Sequence, residues 1–167
     1  MIINFKGKKP CIGEGCFIAE NAQVIGDLTL GEDSSIWFGA VVRADVNKIF
    51  IGKGTNIQDN STIHVYRSGP ATDVGDNVTI GHNVVLHGCK IHDNCLIGMG
   101  SIILDGAEIG ENTIIGAGSL VTHNKKIPSG VLCMGSPAKV IRNLTEGEIK
   151  ANMDNAIHYV HLSKEYK

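Results

Sequence analysis

The run Ile91–Cys133, IHDNCLIGMGSIILDGAEIGENTIIGAGSLVTHNKKIPSGVLC, carries an aliphatic residue at every sixth position: Ile91, Ile97, Ile103, Ile109, Ile115, Val121 and Ile127, with Cys133 closing the series. A period of six matches neither the 3.6-residue turn of a helix nor the two-residue alternation of a plain strand. It matches a solenoid in which each hexapeptide is one short strand and one corner. Three hexapeptides then close a triangular coil, with the aliphatic side chains pointing inward. The same beat runs upstream at Ile12, Ile18, Val24, Leu30, Ile36 and Val42, at Ile51, Ile57 and Ile63, and at Val74, Ile80 and Leu86. Four positions after many of these anchors sits a small residue (Cys16, Ala22, Ser34, Ala40). Glycine often follows the anchor directly (Gly31, Gly52, Gly75, Gly81, Gly98, Gly110, Gly116), which reads as a tight bend. The expected fold is all-β, a parallel β-helix over residues 11–138 within a single domain spanning 1–167.

Composition agrees with such a core. The chain of 167 residues is long enough to bury one, yet has 21 Gly, one Trp, three Tyr, four Phe and only 19% charged residues. Stacked small and aliphatic side chains fit these numbers better than a core of bulky ones. The net charge of −2, with no basic cluster, gives a nucleic-acid partner no electrostatic support. No apolar run approaches the roughly 18 residues of a membrane span. The start, MIINFKGKKP, lacks the apolar stretch of a secretory signal. Five cysteines, at 11, 16, 89, 95 and 133, are odd in number and have no CxxC spacing. They read as reduced thiols packed as small core residues, which points to a cytoplasmic location.

Breaks in the phase of the repeat are informative. Val42 to Ile51 is nine residues, placing an insertion of three within Asn47–Phe50. Ile63 to Val74 is eleven, placing an insertion of five within Tyr66–Asp73, and Leu86 to Ile91 is five, one residue short beside His87. If each irregular step still counts as one side of the triangle, Arg43, His64 and His87 stack at one corner. Each follows an anchor directly, and the coils are about 4.8 Å apart. Two imidazoles at that spacing can lean onto one metal at about 2.1 Å per bond. His82, two residues after Ile80, belongs to the preceding side and stacks above Asp59, two residues after Ile57. A rigid solenoid does not turn His82 onto the His64/His87 corner. A symmetry-related copy can supply it, and a threefold ring with metal at each interface is the simplest closed arrangement.

Polar residues are crowded in sequence near His64: Arg43 and Asp45 in VVRADV, and Asn56, Gln58 and Asp59 in GTNIQDNSTIH. Each also has a plain structural reading, since Asn and Asp serve solenoid corners and Arg43–Asp45 can be a structural ion pair. His92, His123, His158 and His161 read as surface residues. Further along, the repeat fades in CMGSPAKVIRNL, where Gly135 and Pro137 break the strand pattern. Thr145-Glu146-Gly147-Glu148 then forms a capping box that opens a helix over 145–164. Ile149, Met153, Ala156 or Ile157, and Val160 give it an apolar stripe. The helix reads as a cap packed along the solenoid, with Tyr159 as the residue able to reach a catalytic site.

The six-residue pattern resembles the left-handed parallel β-helix of the hexapeptide-repeat superfamily; the hand comes from that resemblance alone. The motif RADxxxxxIGxGTNIQDxxxIH followed by GHxxxxHG is more specific. Over nearly the whole chain it resembles the γ-class carbonic anhydrase family. The resemblance implies reversible hydration of CO2 to bicarbonate by a homotrimer with a divalent metal at each subunit interface. It implies His64, His82 and His87 as ligands, Arg43 and Asp45 as an interface ion pair near the site, and Gln58 as the residue orienting water, supported by Asn56 and Asp59. Zinc is the usual metal, and imidazole suits iron and cobalt as well. Members with strong activity carry glutamates after Arg-x-Asp and in an acidic loop after the first His. Here those places hold Val46 and Val65-Tyr66-Arg67-Ser68, so proton transfer is expected to be slow or buffer-dependent. Two other readings compete. The repeat and GSPAKVIR also resemble hexapeptide acyltransferases that use acetyl-CoA, but such an enzyme needs a catalytic His in an extended loop, and Tyr66–Asp73 has none. The other is a non-catalytic trimeric scaffold with a structural metal.

Overall fold

The computed structural model describes residues 1–166, which form a stack of short parallel strands followed by one helix. The anchors align by faces. Val42, Ile63, Leu86, Ile103 and Val121 lie one above another on the first face. Ile51, Val74, Ile91, Ile109 and Ile127 do so on the second. Ile36, Ile57, Ile80, Ile97 and Ile115 line the third, which ends on Cys133. Consecutive anchors visit the three faces in turn, irregular steps included. Their side chains fill the axis: Ile63, Ile80 and Leu86 have no exposed surface. Each such burial contributes roughly 1.5–3 kcal/mol, so a ladder of aliphatic residues replaces an aromatic core.

The corner itself falls three residues after the anchor, where the backbone is left-handed: φ is 57° at Asn83 and 69° at Gly100. Asn, Asp and Gly tolerate that conformation best. The glycines directly after the anchors, expected to make the bend, serve another purpose. A Cβ at Gly52 would lie 2.5 Å from the carbonyl carbon of Gly75 in the adjacent coil. These positions are glycine because neighbouring coils approach too closely for any side chain. The small residues four after the anchor also have a task. The hydroxyls of Ser34, Thr55 and Ser61 donate to the carbonyl oxygens of Gly52, Gly75 and Gly81 at 2.7, 2.8 and 2.8 Å. Coil is tied to coil by bonds that water does not reach.

The first insertion does not loop out. Val41–Ile51 is one strand of 11 residues, paired with Gln23–Leu30, and a register shift between Gly26 and Leu28 absorbs the excess. The second insertion is pinned by Asn47, whose Nδ2 donates to the carbonyl oxygens of Tyr66 and Gly69 at 3.2 and 3.1 Å. Strand structure also persists where Gly135 and Pro137 were expected to end it. Val131–Gly135 and Ala138–Asn143 pair antiparallel, and Pro137, which has no N–H to offer a ladder, sits in the turn between them.

Helix α1, Glu146–Glu165, opens on the expected capping box, Thr145 with Glu148, and lies over the third face. Its inner face is more polar than the apolar stripe predicts: Asn152, Ala156 and Ser163 are buried, whereas Ile157 is 44% exposed. Asn152 is inside because its Nδ2 donates to the carbonyl oxygen of Asn94 on the solenoid at 3.2 Å, whereas the Ser163 hydroxyl is satisfied within the helix by the carbonyl oxygen of Val160 at 2.9 Å. Farther along, the rings of Tyr159 and Tyr166 pack on Trp37 at 5.6 and 5.3 Å. Cys89, Cys95 and Cys133 are buried free thiols, and burial pushes the first two up to about 12. Among the described residues no helix is long and apolar enough to cross a membrane.

Candidate metal centre

His64 and His87 end the strands Thr62–His64 and Val85–His87, which pair in register with His87 opposite His64. Their preceding anchors point inward, so strand alternation turns both imidazoles outward at the same corner. His64 Nδ1 lies 3.2 Å from His87 Nε2. The outer nitrogens are gripped by carboxylates: His64 Nε2 is 3.0 Å from Asp45 Oδ1, and His87 Nδ1 is 2.6 Å from Asp105 Oδ1. An ionised carboxylate can only accept, so in the neutral imidazoles each outer nitrogen carries the proton and each inner nitrogen presents a lone pair. Two lone pairs at that separation repel one another, and a cation relieves the repulsion. Ligand imidazoles held from behind by carboxylates are a recurring feature of metal sites, so the residues present fit a divalent ion.

Asp45 does two jobs. Its Oδ1 faces His64 while Oδ2 accepts from Arg43 Nη1 at 2.5 Å. Burial works to raise its pKa, but the bonds from His64 and Arg43 outweigh it and hold the carboxyl below its ordinary value. Asp105 was not among the sequence candidates. It lies two residues beyond Ile103, the anchor stacked next to Leu86, and reaches diagonally to His87. The column count carried one coil beyond His87 lands on Leu104, so it does not find Asp105, which reaches His87 from the next position along the first face. Asp105 Oδ2 is also 3.6 Å from His123 Nε2, so His123 has a charged neighbour on this surface.

His82 stands at a different corner. Ile57 and Ile80 are in register, and His82 Nδ1 lies 2.9 Å from Asp59 Oδ2, as the column count requires. Gln58, His82, Asn155 and Tyr159 line a cavity of about 410 Å³ together with Leu96 and Met99. Gln58 Nε2 donates to Asn56 Oδ1 at 3.1 Å, and Asn56 Nδ2 donates to Thr79 Oγ1 at 3.0 Å. Asn56, Gln58 and Asp59 therefore gather around His82 and not around His64. Six residues of sequence separate Ile57 from Ile63, and on a solenoid that is a whole side of the triangle. Burial of the Tyr159 phenol, with the negative charge of Asp59 nearby, raises its pKa. Among the described residues no three His, Cys, Asp or Glu side chains of one chain converge to hold a metal.

The family model for bacterial transferase hexapeptide proteins (six repeats) matches residues 12–44 and 88–123. A carbonic anhydrase of Geobacillus kaustophilus is 49% identical over 167 residues, all of this chain and 91% of that one. The Arabidopsis thaliana mitochondrial protein named gamma carbonic anhydrase 1 is 44% identical over 98% of this chain. The chain belongs to the γ-carbonic anhydrase family. It spans 61% of the length of that Arabidopsis relative. Within the same fold, a crystal structure from Bacillus cereus described as a candidate acetyltransferase superposes with a TM-score of 0.96 at 49% identity, covering 99% of this chain and 96% of that one.

Proposed function

We propose that this γ-carbonic anhydrase family member catalyses the reversible hydration of CO2 to bicarbonate, at metal sites shared between neighbouring subunits of a cytoplasmic homotrimer. The observation that carries the reading is the facing pair of inner nitrogens on His64 and His87, each imidazole fixed from behind by a carboxylate. Relatives named for this activity over most of their length support it. His64 and His87 of one copy and His82 of a neighbouring copy would hold the ion. Zinc is the first choice, and iron and cobalt suit the same imidazoles. When bound, the ion supplies the Lewis acidity that makes water a nucleophile near neutral pH.

The chain's own residues do the rest. Asp45 and Asp105 fix the tautomers of His64 and His87. Gln58, its Nε2 committed to Asn56, offers Oε1 to a hydrogen of the reacting water and so aims the water's lone pair. Leu96 and Met99 wall the cavity with apolar surface, which suits CO2 because the substrate is uncharged and needs no ionic anchor. Tyr159, kept protonated by burial, brings a hydroxyl donor to the same cavity for an oxygen of the product. With no acidic side chain at Val46 or along Val65–Ser68, the proton leaves to buffer, and turnover rises with buffer concentration.

Metal analysis paired with a CO2-hydration assay tests the proposal. His87→Ala is expected to lose both metal and hydration; unaltered hydration in a metal-loaded His87→Ala trimer would overturn it. The acyltransferase reading rests on the description of the Bacillus cereus structure. Coenzyme A binding by protein that holds no metal would favour it. Tightly bound metal without hydration would favour a non-catalytic scaffold.

A further inference from the structure

We propose that helix α1 sets the orientation of Gln58 through a hydrogen-bonded relay, Asn155–Thr79–Asn56–Gln58, which makes Asn155 and Thr79 positioning residues for the reaction. The proposal rests on the reading of Gln58 given above. Asn155 Nδ2 and Asn56 Nδ2 both donate to Thr79 Oγ1, at 3.1 and 3.0 Å, and Gln58 Nε2 donates to Asn56 Oδ1 at 3.1 Å. Asn56, Thr79 and Gln58 are 0, 3 and 5% exposed, so water hardly competes for these bonds. In such surroundings a hydrogen bond is stronger than in water and a broken one costs more.

The direction of the relay decides what the cavity sees. A glutamine amide can turn either its oxygen or its nitrogen outward, and the two ends do opposite chemistry. Asn56 Nδ2 also lies 3.5 Å from the backbone carbonyl oxygen of Val78, a group that can only accept. This keeps the Asn56 nitrogen toward Val78 and Thr79 and leaves Oδ1 for Gln58. Gln58 must then turn Nε2 inward and keep Oε1 for the cavity. Thr79 is the hub, because its oxygen receives a donor from the third face and a donor from the helix.

The helix end of the relay is itself held in register. Asn152 bonds the carbonyl oxygen of Asn94, and the Tyr159 ring packs on Trp37, one turn to either side of Asn155. Docking of α1 is thereby linked, through Thr79, to the placement of an amide 97 residues earlier in the chain whose polarity the Val78 carbonyl fixes. Loss of the relay frees Gln58 to rotate while the carboxylates behind His64 and His87 stay in place.

Thr79→Val and Asn155→Ala in the full-length protein test the relay with two readouts. The first is the side-chain amide signal of Gln58 by NMR, assigned through its disappearance in Gln58→Ala. It is expected to shift and to exchange faster with solvent in both variants, and to return in Thr79→Ser. The second is hydration: kcat falls by about the factor seen for Gln58→Ala while KM and metal content hold, and the Thr79→Val/Gln58→Ala double variant falls no further. An unchanged Gln58 amide signal in Thr79→Val, or in Asn155→Ala should the former not fold, would overturn the proposal, as would a double variant whose losses multiply. If the amide responds as expected but even the wild-type protein does not hydrate CO2, the relay stands as a structural device, and its catalytic role falls with the reading on which it rests.

Discussion

At one corner of the solenoid two imidazoles face each other at 3.2 Å, gripped from outside by Asp45 and Asp105. At another corner a single imidazole, His82, leans on Asp59 beside a cavity walled by Leu96 and Met99. The side chains of His64 and His87 are 19 and 28% exposed, that of His82 40%. The first corner has the donors and the fixed tautomers to hold a cation. The second has the cavity and a chain of oriented amides, but only one nitrogen donor. A rigid β-helix keeps the two a full side of the triangle apart, so folding brings neither corner to completion. In the proposed ring, the corner of one copy completes the corner of the next.

Replacing a ligand at either corner is expected to give the largest effect. His82→Ala should release metal and bring hydration down to the uncatalysed background as fully as His64→Ala does, read by elemental analysis and stopped-flow hydration. A His82→Ala protein that kept both would separate the two corners. Gln58→Ala tests the division of labour: kcat is expected to fall on the order of 100-fold with metal content unchanged, because a group aimed at the reacting water is lost and no ligand is touched. Asp105→Asn works in the other direction. It should weaken metal binding by about 10- to 100-fold, measured by chelator competition, since the His87 tautomer is no longer fixed.

The smallest effect is a control far from both corners. The Arg142 side chain, with the backbone N–H of Thr145, holds the Glu148 carboxyl at about 2, against an ordinary 4.5. A carboxyl lowered on folding stabilises the folded state above its unfolded pKa, and the gain is lost as pH falls through the folded value. Glu148→Gln should therefore flatten the dependence of Tm on pH between about 4.5 and 2, and only slightly, because the pair is exposed. Hydration at neutral pH should be untouched.

Much of this arrangement is legible in the sequence, because a solenoid converts counting into geometry. The six-residue period places the anchors, and three steps place His87 over His64 and His82 over Asp59. Where counting was replaced by proximity along the chain, it misled: Asn56, Gln58 and Asp59 are close to His64 in sequence and a face away in space. Asp105 was missed because counting finds residues stacked in one column, and the next residue in the His64/His87 column is Leu104; Asp105 reaches His87 diagonally from the position beside it. On the helix, hydropathy gives only part of the inner face: Ile149, Met153, Ala156 and Val160 are buried or half-buried as the stripe predicts, but it does not show the polar residues beside them. Asn152 and Asn155 turn toward the solenoid because their partners, the Asn94 carbonyl oxygen and Thr79 Oγ1, are there, and a pattern of apolar residues carries no trace of a hydrogen-bond acceptor on another element. The glycines after the anchors are a subtler case, right residues for a different reason: close approach of coils and not backbone bending.

The proposal that each site is shared can be tested by mixing. His82→Ala and His87→Ala chains, each inactive as a homotrimer, would be co-expressed or reassembled at equal amounts and assayed for metal and hydration. A shared site predicts recovery to about a quarter of wild-type activity, since roughly three quarters of random rings are mixed and each mixed ring holds one complete site in three. Activity no higher than that of the two parents, with mixed rings demonstrated by mass spectrometry, would contradict it.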